Sequence, residues 1–154
     1  MKKLIMYLGL AVLVILTPSS CSSNSDKIDL EALRQSVFEH KNQDDYINLT
    51  LDELSVYFSI DSKDVDDMLI YISSDGTKAD EIAVCRAVDY SALDRIKSSF
   101  NDRLEERRTS FKNYIPAEYD KLVNVQVNES GLYCFYTVGF SQDIIYEAIN
   151  SNPV

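Results

Sequence analysis

The sequence predicts an α+β fold: N-terminal helices, then strand–strand–helix twice, forming a four-stranded antiparallel sheet with helices packed on one face. Three observations carry this. Apolar residues recur at helical spacing before Lys41 and again from Ala92 to Tyr114. Short β-branched and aromatic runs, LIYIS, EIAVCRAV and LYCFYTV, are bounded by turn signals. A serine suited to capping, Ser91 or Ser141, follows the second strand of each pair and precedes a helical pattern.

Taken in order, Leu30, Leu33, Val37 and Phe38 mark one face of a helix over residues 28–41. Thr50-Leu51-Asp52-Glu53 has the form of a capping box and opens a short helix, LDELSVYF. Asp61-Ser62 offers a second cap, before a short helix around KDVDD. From Met68 the pattern changes to strand. LIYIS and EIAVCRAV are joined by a loop carrying the turn signal Asp75-Gly76, and together they read as a hairpin. Ser91 caps the longest helix, which runs to about Tyr114 with Leu93, Ile96, Phe100, Leu104, Phe111 and Tyr114 as its stripe. Pro116 stops it, because the residue before a proline avoids the helical region. EYDKL supplies one more helical turn. Val123, Val125 and Val127 alternate with Asn124, Gln126 and Asn128, the pattern of a half-buried strand. NESG turns the chain, LYCFYTV returns it, and QDIIYEAIN is the last helix. Residues 82–91 and 132–141 lie fifty positions apart, and both end as valine, any residue, aromatic, serine. Shared strand-to-helix chemistry accounts for the echo. A true duplication would imply a pseudo-twofold sheet with its helices on one face.

Ahead of all this stands MKKLIMYLGLAVLVIL. Lys2 and Lys3 precede an uncharged run over residues 4–16. That run fits a signal-peptide core of about 7–15 residues and falls short of the roughly 20 needed to span a bilayer. Small Ser19 and Ser20 then precede Cys21 and a polar SSNSD stretch. The arrangement resembles a bacterial lipobox, in which the cysteine is linked to diacylglycerol and becomes the first mature residue. It departs from that pattern at Pro18, where a leucine is usual. The expected division is a signal peptide over residues 1–20, a Ser-rich tether over 21–27 and a single domain over 28–150. Two acyl chains suffice for stable attachment, so the expected location is the outer face of the cytoplasmic membrane.

Cleavage after Ser20 removes two lysines and no acid, leaving 13 basic and 25 acidic side chains, a formal net charge of −12. Such a surface repels phosphate backbones and anionic headgroups. Nucleic acid is therefore not an expected partner, and the lipid on Cys21 must supply the membrane attachment.

Catalytic chemistry finds little support. No GxSxG, HExxH, P-loop or dinucleotide fingerprint occurs. The acidic group Asp61, Asp64, Asp66 and Asp67 fails as an EF-hand, because Asp66 and Ile72 stand where glycine and glutamate are required. Asp80-Glu81 is a carboxylate pair of a kind common in an acidic chain. Cys85 and Cys134 lie in strand-like runs, and an exported location permits a disulfide; two buried free thiols are the favoured reading. His40, the single histidine, lies in the first helical pattern with no motif linking it to either cysteine. No catalytic residue, metal or cofactor is expected.

Arg107 occupies the apolar stripe of the long helix, where a leucine would fit. It either holds a carboxylate inside a groove or snorkels to water; snorkelling is favoured. With Arg103 and Arg108 it forms a basic end on an acidic protein. Those three arginines and Tyr133, from the tyrosine-rich LYCFYTV, are the candidate binding surface.

The succession LDELSVYFSID, ADEIAVCRA, the helix carrying Arg103, Phe111 and Tyr114, then Pro116, Tyr119 and ESGLY resembles a group of Gram-positive lipoproteins, domain of unknown function 4358. The resemblance spans residues 46–150. It implies a lipoprotein address and a domain boundary, and no catalytic motif. Some members are encoded near membrane-bound O-acyltransferases, which implies a role in modifying envelope polymers. The expected function is a membrane-anchored, non-catalytic binding or accessory module with an envelope or membrane protein as partner. The alternative is an envelope enzyme, or enzyme subunit, without a recognisable motif.

Overall fold

The computed structural model describes residues 27–151, so the expected signal peptide, Cys21 and nearly all of the expected tether lie outside the described residues. Five strands form one antiparallel sheet in the order β1-β2-β3-β5-β4. They are β1 (Tyr46–Asn48), β2 (Val65–Ser73), β3 (Glu81–Ala87), β4 (Asn128–Ser130) and β5 (Tyr133–Val138). The helices are α1 (Leu30–Val37), α2 (Leu54–Tyr57), α3 (Tyr90–Lys112), α4 (Pro116–Leu122) and α5 (Asp143–Asn150). No described helix is long and apolar enough to cross a membrane.

The predicted mixed architecture forms, with two corrections. There are five strands, not four, because residues 46–48 add an edge strand beside β2. And helices cover both faces of the sheet, not one. On the first face Ile70, Ala83, Cys85, Cys134 and Tyr136 pack against α3 and α2 through Ile96, Phe100, Leu104, Leu54 and Phe58. On the second, Leu69, Tyr71, Ile82, Val84 and Phe135 meet Leu33 and Val37 of α1 and Ile145 of α5. The cause is legible in β3 and β5. Their runs are apolar at nearly every position, as in strands buried on both sides, whereas a one-sided sheet alternates.

The same parity excludes a true repeat. The first face takes Ala83 and Cys85 from β3 but Cys134 and Tyr136 from β5. A fifty-residue offset would superpose Ala83 on Tyr133, which points to the other face. The helices following the two strand pairs accordingly lie on opposite faces.

Local chemistry explains the element boundaries. The Asp29 carboxylate caps α1, accepting from the N–H groups of Glu31 and Ala32 at 3.0 Å. Glu53 accepts from the Thr50 N–H and hydroxyl, each at 2.8 Å, ahead of α2. Asp89, rather than Ser91, caps α3, accepting from the Ala92 N–H at 2.7 Å. KDVDD forms no full helix. Asp61 caps a single 3-10 turn over Ser62–Asp64, and β2 begins at once with a bulge between Val65 and Asp67. The valine alternation at residues 123–127 is not a strand either. Arg108 takes the carbonyls of Leu122 and Val125 at 3.1 and 2.6 Å, and the Val125 N–H turns back to Leu122. Ladder pairing starts only at Asn128.

Phe100 sits at the centre of the first core, with its ring 5.6 Å from Phe58 and 5.2 Å from Tyr136, both edge-on. Phe100→Ala is expected to cost about 3–5 kcal/mol, read as a fall in the denaturant midpoint at unchanged slope. A loss below about 1 kcal/mol would mean that the α3 stripe does not carry the core.

Candidate functional site

The strongest concentration of ionisable groups lies where β3 begins. Asp80 and Glu81 lie there in sequence, and α4 brings Glu118 beside them. Glu81 is 1% exposed. Its parity with Ala83 and Cys85 turns the carboxylate into the first core. There it accepts from Arg103 Nη2 at 2.8 Å and from the Tyr136 hydroxyl. Burial, and then the Glu81 charge, push the Tyr136 phenol well above its ordinary pKa. Arg103 also lies over the Phe58 ring, 5.1 Å from its centroid. Burial alone would lower its pKa; the charge and hydrogen bonds of Glu81 more than offset this, and it is raised.

Around this pair runs a partly exposed ring of charges. Glu118 accepts from the Ala79 N–H and from Lys121 Nζ, both at 2.8 Å, with Lys78 Nζ at 3.8 Å. Asp80 faces Lys121 at 2.7 Å and Lys41 at 3.4 Å. Lys41 Nζ in turn stands 4.5 Å over the Phe140 ring. The Asp80 carboxylate lies so close to Gly139 (φ +74°) that a Cβ there would meet Oδ1 at 2.0 Å. A glycine is therefore required on both conformational and steric grounds. A cleft of about 350 Å³, lined by Asp45, Tyr46, Ser73, Lys78, Asp80 and Lys121, borders the ring.

The four residues expected to form a binding surface are not brought together as one. Arg103 is turned inward onto Glu81. Arg108 holds the backbone after α4, with Glu105 at 3.5 Å. Tyr133 is 4% exposed in a central strand, on the sheet face opposite Arg103. Its hydroxyl accepts from the Ile28 N–H at 2.9 Å. A contact surface through Tyr133 therefore does not form. Arg107 follows neither expected course fully. It is half-buried, its guanidinium carbon 4.6 Å from the Phe111 centroid, and Nη2 donates to the Lys78 carbonyl at 2.8 Å. Its buried Nε finds no partner among the described residues, and burial lowers its pKa.

The cysteines stay free for a geometric reason. Cys85 and Cys134 are directly opposite in the β3–β5 ladder. The Ala87 N–H bonds to Leu132 O, two residues along, so the cysteines occupy a hydrogen-bonded position. Cβ atoms there stand about 5.5 Å apart, beyond the roughly 3.5–4.5 Å of a disulfide. Both are buried thiols, and burial pushes Cys134 up to about 12. A thiol so placed is a poor nucleophile.

The acidic group at residues 61–67 is likewise divided. Asp61 caps its turn, Asp64 takes Arg95 at 2.7 and 2.8 Å, and Asp66 takes Arg86 and Lys27. Among the described residues no group of three or more His, Cys, Asp or Glu could hold a metal ion. The arrangement at β3 is thus a set of mutually neutralised charges. In the sequence Glu81 stands as half of a carboxylate pair of a common kind. The available signal was its phase: Glu81, Ala83, Cys85 and Ala87 share a face, which places a carboxylate among core positions.

Burial alone would raise Asp80 and Glu118; Lys121, with Lys41 at Asp80 and the Ala79 N–H at Glu118, lowers both instead. Folded values below the unfolded ones stabilise the protein fully above the unfolded pKa values. That contribution is lost as pH falls through the lowered folded values, below about pH 4. Lys121→Met is expected to flatten this acid limb in pH-dependent urea unfolding. An unchanged limb would exclude the pairing. Arg103→Met leaves Glu81 buried without its cation and is expected to cost about 3–5 kcal/mol. Arg107→Met removes an incompletely bonded donor and is expected to stay within about 0.5 kcal/mol or to stabilise. Equal losses in chemical denaturation would overturn this distinction.

The family described as domain of unknown function (DUF4358) matches residues 41–139, well over half of the chain and all five strands. No curated protein and no solved structure matches it.

Proposed function

The chain belongs to the DUF4358 family, and from that premise we propose that it is a lipoprotein, anchored through Cys21 at the outer face of the cytoplasmic membrane, that acts there as a non-catalytic contact module. The observation that carries this reading is the state of the ionisable cluster. Asp80, Glu81 and Glu118 all meet cations or N–H donors of the same chain. A general acid needs a carboxyl raised toward the working pH, whereas Asp80 and Glu118 are lowered. Such a cluster supports α3 and α4 against the sheet. The working surface is then the outside of the domain.

The anchor rests on the leader and Cys21. The domain's first described residue, Lys27, pairs with Asp66 at 2.9 Å. The tether therefore joins the domain near Asp66 and Arg86, at the end of the sheet away from Glu81. In a Gram-positive host the full chain is expected to fractionate with membranes and to carry diacylglycerol on its mature N-terminal peptide. Cys21→Ala is expected to release it. A Cys21→Ala protein that stays membrane-bound at unchanged mass would refute the anchor, and turnover of an envelope polymer by purified protein would refute the non-catalytic role.

A further inference from the structure

The largest apolar exposure in one stretch of chain lies between β1 and the end of α2. Ile47, Leu51 and Tyr57 are exposed there, and Val56 is 78% exposed. The alternate side chains Leu49, Leu54 and Phe58 are buried, so this short segment is fixed to the core while presenting a second apolar side outward. Ser59 ends α2 at φ +55°, in the left-handed region where glycine is usual. The outward side continues into a cleft of about 140 Å³ between Val56, Tyr57 and Ser59 on one wall and Ser99, Asp102, Arg103 and Glu106 of α3 on the other. Exposed apolar groups bordered by polar ones are a mark of contact surfaces.

We propose that this surface receives a basic, amphipathic segment of a partner protein. The inference rests on the contact-module reading and names the partner's chemistry. Charge selects the occupant. Asp52 and Glu53, just ahead of α2, carry no salt bridge among the described residues, while Asp61 beyond it is paired with Lys63 at 2.6 Å. Asp102 and Glu106, one helical turn apart on the cleft's far wall, carry no salt bridge among the described residues, while Arg103 between them is neutralised by Glu81. The exposed apolar side chains thus adjoin a polar cleft with acids on its far wall, complementary to lysine or arginine flanking apolar side chains.

Position argues for a protein rather than the bilayer. Arg103 marks the Glu81 end of β3, and Lys27 marks the Arg86 end, about 17 Å away at the strand rise of about 3.3 Å per residue. The cleft consequently lies toward the end of the sheet far from the tether, and its acids would be repelled by anionic headgroups. A strand added to β1 is disfavoured, because the Tyr46 N–H is bonded to Gln43 and the Thr50 N–H to Glu53. Side-chain packing into the groove is the mode that remains.

The test is photo-crosslinking in cells from p-benzoylphenylalanine at Val56 of the full chain, with Tyr114, 84% exposed on another part of the surface, as the reference position. The expected result is a Val56 adduct whose partner peptide, sequenced by mass spectrometry, is rich in lysine or arginine with interspersed apolar residues. Asp102→Asn combined with Glu106→Gln is expected to reduce that adduct about three- to tenfold at unchanged thermal midpoint. Adducts to lipid, to a second copy of this chain or to an acidic peptide would overturn the proposal, as would an adduct indifferent to the double substitution. A partner found from Tyr114 but not from Val56 would overturn this surface and leave the contact-module reading standing. No protein adduct from either position would overturn the surface, and polymer turnover by the purified protein would separately overturn the reading beneath it.

Discussion

Glu81 opens a central strand with its carboxylate turned into the core, and an ion so placed is stable only if its desolvation is offset by close, well-aligned partners. Those partners come from distant parts of the chain. Arg103 arrives on α3, and Tyr136 comes from β5, fifty-five residues away. Arg103 reaches Glu81 only when α3 crosses the first face at one height, which also sets Phe100 over Tyr136 and Phe58. Apolar stripes can slide past one another at modest cost, but a buried ion pair cannot. The pair therefore fixes the register of α3 on the sheet, while the apolar residues supply most of the burial.

The second constraint is the apolar content of β3 and β5 on both sides. It obliges the chain to cover each face, and α1 and α5 do so on the second. This was legible: EIAVCRAV and LYCFYTV are continuous runs, and continuous runs argue for burial on both faces. The strand–strand–helix order alone does not say which face a helix covers, whereas side-chain parity does. The long helix, the β2–β3 hairpin and the α4 turn were readable because each is fixed by local chemistry: an apolar stripe, a turn pair, a proline. The alternation of Val123, Val125 and Val127 does not mark β4, because it is a local signal, whereas Arg108 captures the adjoining carbonyls from another element. The edge strand β1 was missed because three residues carry no periodicity to read.

The same distinction divides the site. A basic end of α3 could be read from composition, but the destination of each side chain could not. Arg103, Arg107 and Arg108 are neighbours in sequence, yet they serve a carboxylate on β3, a hairpin carbonyl and the backbone after α4. Helical geometry explains the divergence: Arg108 is rotated about 100° from Arg107, whereas Arg103 and Arg107, four apart, share a face but stand about 6 Å apart along the axis. What resembled an outward basic patch is a set of latches between α3 and its surroundings.

This inward use of cations changes the meaning of the net charge. Arg103, Lys121 and Lys41 face carboxylates around β3, and Arg108 faces backbone carbonyls. The first three are cancelled where they stand, and Arg108 is held by neutral carbonyls. The acids left without such partners, Asp102 and Glu106 among them, lie on the outside with the apolar side chains of α2. A formal charge of −10 thus understates how negative that exposed face is relative to the interior. The constraint that seats α3 on the sheet also turns Arg103 inward from between Asp102 and Glu106, which connects the buried Glu81–Arg103 pair to the chemistry that this part of the surface can recognise.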